Sequence, residues 1–189
     1  DWGDGWDDSF SGYTGVYAVY HGILGHTIEI PESNQESYYA GRNAVLGGID
    51  FLNQDPDKLL EMRLNFYLRG LNKIEDPKAE NELVGPNGEI VGRVKNGRPK
   101  FFPDYYVIPM SLDKDNDAQE AFNMIDYFKR NGVLVKELKE DIGTYKKGDL
   151  VIDMAQAKRG YANHILYKGS NESAWAAMYA ELLVNFPDM

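Results

Sequence analysis

The chain contains no cysteine and only three histidines among its 189 residues. Without cysteine it forms no disulfide, offers no thiolate to a metal and has no cysteine nucleophile. Positive charge is also scarce, because 20 lysines and arginines stand against 30 aspartates and glutamates, which leaves a net charge of −10. Such an acidic chain is a poor partner for nucleic acid or an anionic membrane surface, and we expect it to bind neither.

Long apolar runs are absent as well, and none approaches the length that a membrane-spanning helix needs. Hydrophobic residues nevertheless make up 43% of the chain and aromatic residues 13%, which is enough for a packed core. The first residue is Asp1 and not Met, so we expect further sequence upstream and draw nothing about export from the lack of a signal peptide.

The most informative carboxylate is Glu29, near the end of a short apolar run in GHTIEIPES. Thr27, Ile28 and Ile30 are β-branched and favour a buried strand, and Pro31 cannot donate to a sheet ladder, so the strand should stop there. A carboxylate at the end of a buried strand is costly unless it is paired, solvated or used in chemistry. Two interpretations are open: Glu29 pairs with an arginine or caps backbone groups, or it is a general base in a cleft.

The sequence around this run has a recognisable order. An acidic, aromatic loop, DWGDGWDD, precedes SGYTG, a short helix-like segment that ends in HGI, and then the predicted strand. This order resembles the last part of the catalytic domain of the zinc carboxypeptidases, the carboxypeptidase A-like metallopeptidases. It is most similar to a bacterial branch that carries an additional C-terminal domain. Further along the chain, FFPDYYVIPM, VIDMAQAKRGYANHILY and VNFPDM resemble that C-terminal region.

The resemblance implies a function for several residues. Glu29 would be the catalytic general base in the hydrolysis of a C-terminal amide bond of a protein or a cell-wall peptide. Tyr13 and Asp8 are the candidates for the substrate-binding loop position of the family. Zinc would belong to the parent enzyme, its ligands lying upstream of Asp1 in another part of the same catalytic domain. This chain alone is then expected to bind no zinc and to be inactive. An extracellular or cell-surface location follows from the same resemblance.

A literal zinc motif is also present, because His26 and Glu29 form an HxxE pair and His164 is a distant third ligand. We do not favour it, since side chains three residues apart on a strand point to opposite faces. Asp113, Asp115 and Asp117 likewise resemble the start of a calcium loop, but that loop lacks its glycine and its final glutamate. The competing class of function is a non-catalytic module that binds a carbohydrate, a peptide or a partner domain.

The fold class predicted from these patterns is α/β, in three parts. By the resemblance, residues 1–82 would form the end of a carboxypeptidase-like α/β domain with trailing helices, 83–102 a hairpin linker, and 103–189 a small C-terminal α/β domain. The first helix should start near Ser37. Asp55-Pro56 should start the second helix, with Asp55 as its N-cap and Pro56 at its first position. The predicted buried stripe of the first helix comprises Ala40, Ala44, Val45, Ile49 and Leu52. The pair Gly47-Gly48 in the same helix suggests close packing.

The C-terminal part reads as a β-α-β unit, for which a parallel strand pairing is expected. Its helix should present Ala121, Met124, Ile125 and Phe128 on one face and stop at Asn131-Gly132. A hairpin with its turn at Lys147-Gly148 follows, and then two helices, one in AQAKRGYANHILY and one in SAWAAMYAELLVNF.

Overall fold

The computed structural model describes residues 11–30, 32–75, 102–110 and 118–167. Its elements are α1 (Thr14–Val19), α2 (Gln35–Gln54), α3 (Pro56–Leu71), β1 (Tyr105–Ile108), α4 (Ala118–Arg130), β2 (Lys136–Glu137), β3 (Leu150–Asp153) and α5 (Arg159–Leu166). Helices together with a small sheet confirm the coarse prediction of a mixed α/β chain. Several predictions fall outside the described residues: Asp8, the hairpin before Phe102, the calcium-like loop at 113–117, and the helix in SAWAAMYAELLVNF.

The two long helices begin where side chains can cap them, close to the predicted positions. At the start of α2, Asn34 Oδ1 accepts the backbone N–H of Ser37 at 2.9 Å. At the start of α3, Asp55 Oδ1 accepts the backbone N–H of Lys58 at 3.0 Å, and Pro56 occupies the first helical position. Each cap satisfies a backbone donor that the first turn leaves open.

The predicted buried stripe of α2 is wrong. No residue of α2 is buried, and Val45, Ile49 and Leu52 keep between 49% and 59% of their surface exposed. The glycine pair Gly47-Gly48 does not mark close packing either, because a Cβ added at either position would meet no atom within 4 Å. Apolar periodicity identified this face of the helix, but the described part of the chain does not cover it.

A three-stranded antiparallel sheet has the order β1-β3-β2. Tyr106 of β1 lies opposite Ile152 of β3, and Lys136 of β2 lies opposite Val151. The predicted parallel pairing in a β-α-β unit is therefore wrong, because β3 lies between β1 and β2 and runs antiparallel to both. The reason is local, since the loop of residues 138–149 reverses the chain through two tight turns.

Two predicted chain reversals are confirmed by glycines with positive φ. At the Lys147-Gly148 turn, the N–H of Asp149 donates to the carbonyl of Lys146 at 3.0 Å, and Gly148 has φ +95°. Gly132, directly after α4, has φ +76° and ends that helix as expected. Other residue types rarely adopt this backbone conformation, which explains why glycine marks both positions.

One buried core joins elements from both halves of the chain. It contains Tyr20 after α1, Phe66 of α3, Phe128 of α4, Ile152 of β3 and Tyr161 of α5. The burial of Phe128 confirms the predicted inner face of α4. Because α1 and α3 share this core with the sheet, residues from both sides of the predicted linker at 83–102 pack together. The three-part division of the chain itself stays a prediction.

Within the described ranges, no helix combines the length and the apolar character that crossing a bilayer requires.

Candidate functional site

Glu29 lies in residues 24–30, here called the Glu29 segment, which forms neither helix nor strand. Glu29 is exposed, and its neighbours Ile28 and Ile30 are 46% and 37% exposed. The prediction of a buried strand is therefore wrong. β-branched residues favour extended backbone, but a strand also needs a pairing neighbour, and no described strand lies beside this segment.

Pairing of Glu29 with an arginine finds no support among the described residues, where its carboxylate makes no ion pair and no hydrogen bond. Arg159 is buried, and its guanidinium contacts residues other than Glu29. Its guanidinium stacks 4.1 Å from the ring centre of Phe102 and donates to the carbonyl oxygen of Ile74. Burial lowers the pKa of Arg159 to about 10, a value at which it keeps its charge at neutral pH.

The Glu29 segment is anchored to the helices on either side of it. A Cβ at Gly25 would lie only 2.1 Å from the carbonyl oxygen of Gly15, so the start of the segment crosses α1 in direct backbone contact. Near its other end, the Cδ1 atom of Ile30 lies 3.1 Å from the position that a Cβ would take at Gly41 of α2. Both ends are thus held while the Glu29 carboxylate between them stays accessible to solvent.

An aromatic cluster lies beneath α1 and joins it to α5. The ring of His21 lies 4.3 Å from that of Tyr17 and 5.0 Å from that of Tyr161, and Tyr20 stacks on His164 at 4.5 Å. This arrangement packs the half-buried His164 against Tyr20 of the core. The cluster therefore fixes α1, and through Gly15 the start of the Glu29 segment, on the C-terminal elements.

Hydrogen bonds tie the same region to α3 and to the end of α4. The hydroxyl of Tyr17 donates to Asn131 Oδ1 at 2.6 Å, and the hydroxyl of Tyr67 donates to the carbonyl of His21 at 2.9 Å. The hydroxyls of Tyr127 and Tyr161 also bond to each other, and burial raises the pKa of Tyr161. Tyr161 is fully buried and neutral, so we assign it to packing and not to chemistry.

The surroundings of His21 favour its neutral form. Burial lowers its pKa below 6.5, the nearby charge of Lys158 acts in the same direction, and a hydrogen bond to the carbonyl of Tyr17 opposes both. The ring nitrogen Nδ1 lies 3.0 Å from that carbonyl oxygen and donates to it. The other nitrogen, Nε2, is buried and has no hydrogen-bond partner in the described structure.

We expect the free energy of unfolding to fall as the pH drops below about 6.5, and His21→Gln to reduce this fall. Because the pKa of His21 is lower in the folded state, the unfolded state binds more protons as the pH falls through this range, and stability decreases. Urea unfolding of both proteins at pH 7.5 and 5.5 measures the difference. Equal losses of stability in the two proteins would contradict this account.

A groove of about 310 Å³ opens beside the turn that follows α1. It is lined by residues 22–24 and by the adjoining ends of α2 and α3, including Leu52, Leu60 and Arg63. Lys158 lies near Arg63, and its pKa is lowered to about 8 by burial and then by that charge. Neither the groove nor these two cations were predicted from the sequence. The signal that could have indicated them is an arginine among leucines in LLEMRL.

The described residues do not fit a zinc site. Nowhere in the described ranges do three His, Cys, Asp or Glu side chains gather as metal ligands would. His26 and Glu29 lie in the exposed segment, whereas His164 stacks on Tyr20. Tyr13, the substrate-binding candidate that is described, precedes the first residue of α1 and is 38% exposed.

Comparison of the chain with family models, with curated proteins and with solved structures found no match.

Proposed function

We propose that this chain is the C-terminal part of a zinc-dependent metallocarboxypeptidase, a hydrolase that cleaves the C-terminal amide bond of a protein or cell-wall peptide. Glu29 is the general base in this proposal. One observation carries it: Glu29 is an accessible carboxylate without a described partner, on a segment anchored at Gly25 and Ile30. The resemblance of SGYTG, HGI and HTIEIPES to that family supplies the reaction class.

The chemistry needs a carboxylate that is free to take a proton from the attacking water and to pass it to the leaving amine. A carboxylate in a salt bridge is a poorer proton acceptor, and Glu29 forms no salt bridge with a described residue. Tyr13, just before α1, is the proposed substrate contact on this chain, and Asp8 is its alternative.

The proposed partner of the Glu29 segment is the preceding part of the same catalytic domain. Once a neighbouring strand pairs with this extended segment, alternation of side chains places Thr27 and Glu29 on one face. Ile28 and Ile30 then face the other side, where a core can cover their exposed surface. This placement would bury the two isoleucines and leave Glu29 facing the cleft.

The zinc ion would be held by ligands in that preceding part, since His26, Glu29 and His164 do not form a site. Zinc, when bound there, polarises the scissile carbonyl and activates water. The task of this chain's own residues is to hold the Glu29 carboxylate at the reacting water and to accept its proton.

A second candidate function is a non-catalytic binding module. It is favoured by the exposed apolar side chains of α2 and α3, since contiguous exposed apolar surface marks interaction sites. Under this alternative Glu29 has no chemical role, and the chain contributes only a docking surface.

Zinc content and peptide hydrolysis distinguish the two candidates. We expect this chain alone, after dialysis, to hold far less than one zinc per molecule and to release no C-terminal amino acid from a peptide. The longer protein that contains it should hold one zinc and release that amino acid. Near-stoichiometric zinc on the isolated chain would instead revive the literal HxxE site. A longer protein without hydrolytic activity would favour the binding module.

A further inference from the structure

Residues 21–23, here called the His21 turn, connect the end of α1 to the start of the Glu29 segment. The N–H of Ile23 closes the turn by donating to the carbonyl of Ala18 at 3.0 Å, and Gly22 has φ +67°. Tyr20 before the turn is fully buried, whereas Ile23 and Leu24 are 48% and 41% exposed. Opening the turn would uncover little further apolar surface, and regions with few buried apolar contacts open locally without global unfolding.

His21 holds this turn against three neighbouring helices. Its ring packs on Tyr17 of α1 and on Tyr161 of α5, with 4.3 and 5.0 Å between ring centres. Nδ1 donates to the carbonyl of Tyr17 at 3.0 Å, and the backbone carbonyl of His21 accepts the hydroxyl of Tyr67 on α3 at 2.9 Å. All of these contacts involve one residue, so a displacement of His21 would loosen the turn from α1, α3 and α5 together.

The surroundings of the His21 ring suit an imidazole and not an imidazolium. Nε2 is buried without a hydrogen-bond partner among the described residues, so a proton there would be a buried donor without an acceptor. The side chain of Asn131 favours the charged ring, but its Oδ1 already accepts the hydroxyl of Tyr17 at 2.6 Å. No described carboxylate pairs with His21. The titratable groups around it are three phenols and one ammonium group, those of Tyr17, Tyr67, Tyr161 and Lys158.

We propose that the His21 turn is a pH-sensitive switch, in which protonation of His21 opens the turn and frees the start of the Glu29 segment from α1, while the buried core stays folded. The turn leads directly to the backbone crossing of Gly25 over Gly15, so its movement carries Gly25 away from α1. Water solvates the imidazolium only in the open form, which therefore binds the proton more tightly and becomes more populated as the pH falls. The switch does not depend on a catalytic role for Glu29.

Amide hydrogen exchange of the whole chain, measured by NMR, tests the switch against two internal standards. In each of three helices, the N–H of a residue just past the end donates to the carbonyl five residues earlier, at 3.0, 3.0 and 2.9 Å: Ile23 to Ala18, Ile74 to Arg69, and Val133 to Phe128. Between about pH 7.5 and about pH 5, the protection factor of the Ile23 amide should fall about three- to thirtyfold, and those of Ile74 and Val133 should fall less. The upper limit applies when the open form has the ordinary histidine pKa of about 6.5.

Low concentrations of urea distinguish opening of the turn from global unfolding. Exchange at Ile23 should hardly respond to urea, because the sensitivity to denaturant scales with the surface that an opening exposes. His21→Gln should remove the pH dependence at Ile23, since glutamine takes up no proton in this range. His26→Gln makes the same change at an exposed position five residues further on, and this matched control should behave like the wild type.

Titration of the His21 ring signals in the wild type gives a measurement that needs no variant. The midpoint of the change at Ile23 should coincide with the midpoint of this titration. Unchanged protection of Ile23 at the lower pH would overturn the proposal. So would an equal fall at all three amides that urea increases, which is global unfolding. A fall that persists in folded His21→Gln, or a midpoint that differs from that of the His21 ring, would assign the titration to another group.

Discussion

In the parent metallocarboxypeptidase that we propose, Glu29→Gln is expected to lower kcat by about 10²–10⁴-fold, which is the usual contribution of a general base. The amide keeps the size of the side chain but cannot accept the proton from water. KM should change little, since the lost interaction is made in the transition state. The melting temperature should stay the same, because Glu29 is exposed and makes no hydrogen bond or ion pair with a described residue. Steady-state kinetics and thermal unfolding of the same preparation measure both effects.

Glu32→Gln is the matched control, because it makes the same chemical change three residues away at another exposed position. Glu32 Oε2 accepts a hydrogen bond from Asn34 at 2.7 Å, a local contact that a glutamine retains. We expect normal kcat for this variant. Normal kcat in Glu29→Gln together with a lowered melting temperature would end the catalytic assignment, and equal losses of kcat in both variants would indicate a general charge effect.

Local features of this structure were predictable from the sequence because they depend on neighbours along the chain. Asp55-Pro56 starts α3 through one side-chain hydrogen bond and one fixed φ angle, both encoded within four residues. Gly132 and Gly148 lie at reversals that need a positive φ. Helix caps and glycine turns depend only on residues close together in the sequence, so they form irrespective of the tertiary surroundings.

The wrong predictions all required a partner that the local pattern does not specify. Val45 and Ile49 form the predicted apolar face of α2, but burial needs a second surface, and the described chain provides none there. The Glu29 segment has the β-branched residues of a strand, but no described strand pairs with it. The pairing of β3 with both β1 and β2 depends on how the loop at 138–149 turns back, and the β-α-β pattern is the same for either outcome.

The residues of the candidate site differ in the same way, since some can be predicted from nearby sequence and others depend on contacts between distant parts of the chain. Glu29 can be identified from the sequence, because a carboxylate within a short apolar, β-branched run is unusual and the whole pattern spans only a few residues. The sequence does not single out Arg63 and Lys158, which are 95 positions apart in the sequence and become neighbours only when α5 packs on α3. The same packing buries His21, whose environment includes Tyr161 of α5. Non-local clusters of this kind were beyond prediction from spacing alone.

Gly70→Ala is expected to destabilise the fold by about 1–3 kcal/mol, as extra atoms in a well-packed interior usually do. Gly70 is buried on α3, and an added Cβ would lie 2.3 Å from the carbonyl oxygen of Gln156. That backbone cannot easily move away, because the Gln156 side chain holds it to the neighbouring loop. Its Oε1 accepts the N–H of Leu134 at 2.8 Å, and its Nε2 donates to the carbonyl of Asp153 at 2.7 Å. Urea unfolding, followed by circular dichroism, measures the loss.

Gly47→Ala is the control that isolates this contact from helix propensity. Both glycines lie inside helices, where alanine favours the helical backbone by about 0.5–1 kcal/mol over glycine. At Gly47 an added Cβ would meet no atom within 4 Å, so this gain should be seen in full, as a small increase in the free energy of unfolding. At Gly70 the clash with Gln156 should outweigh it. The two substitutions, chemically identical, are thus expected to have opposite signs. A stabilising Gly70→Ala would mean that α3 and the loop before α5 do not pack as closely as the structure has them.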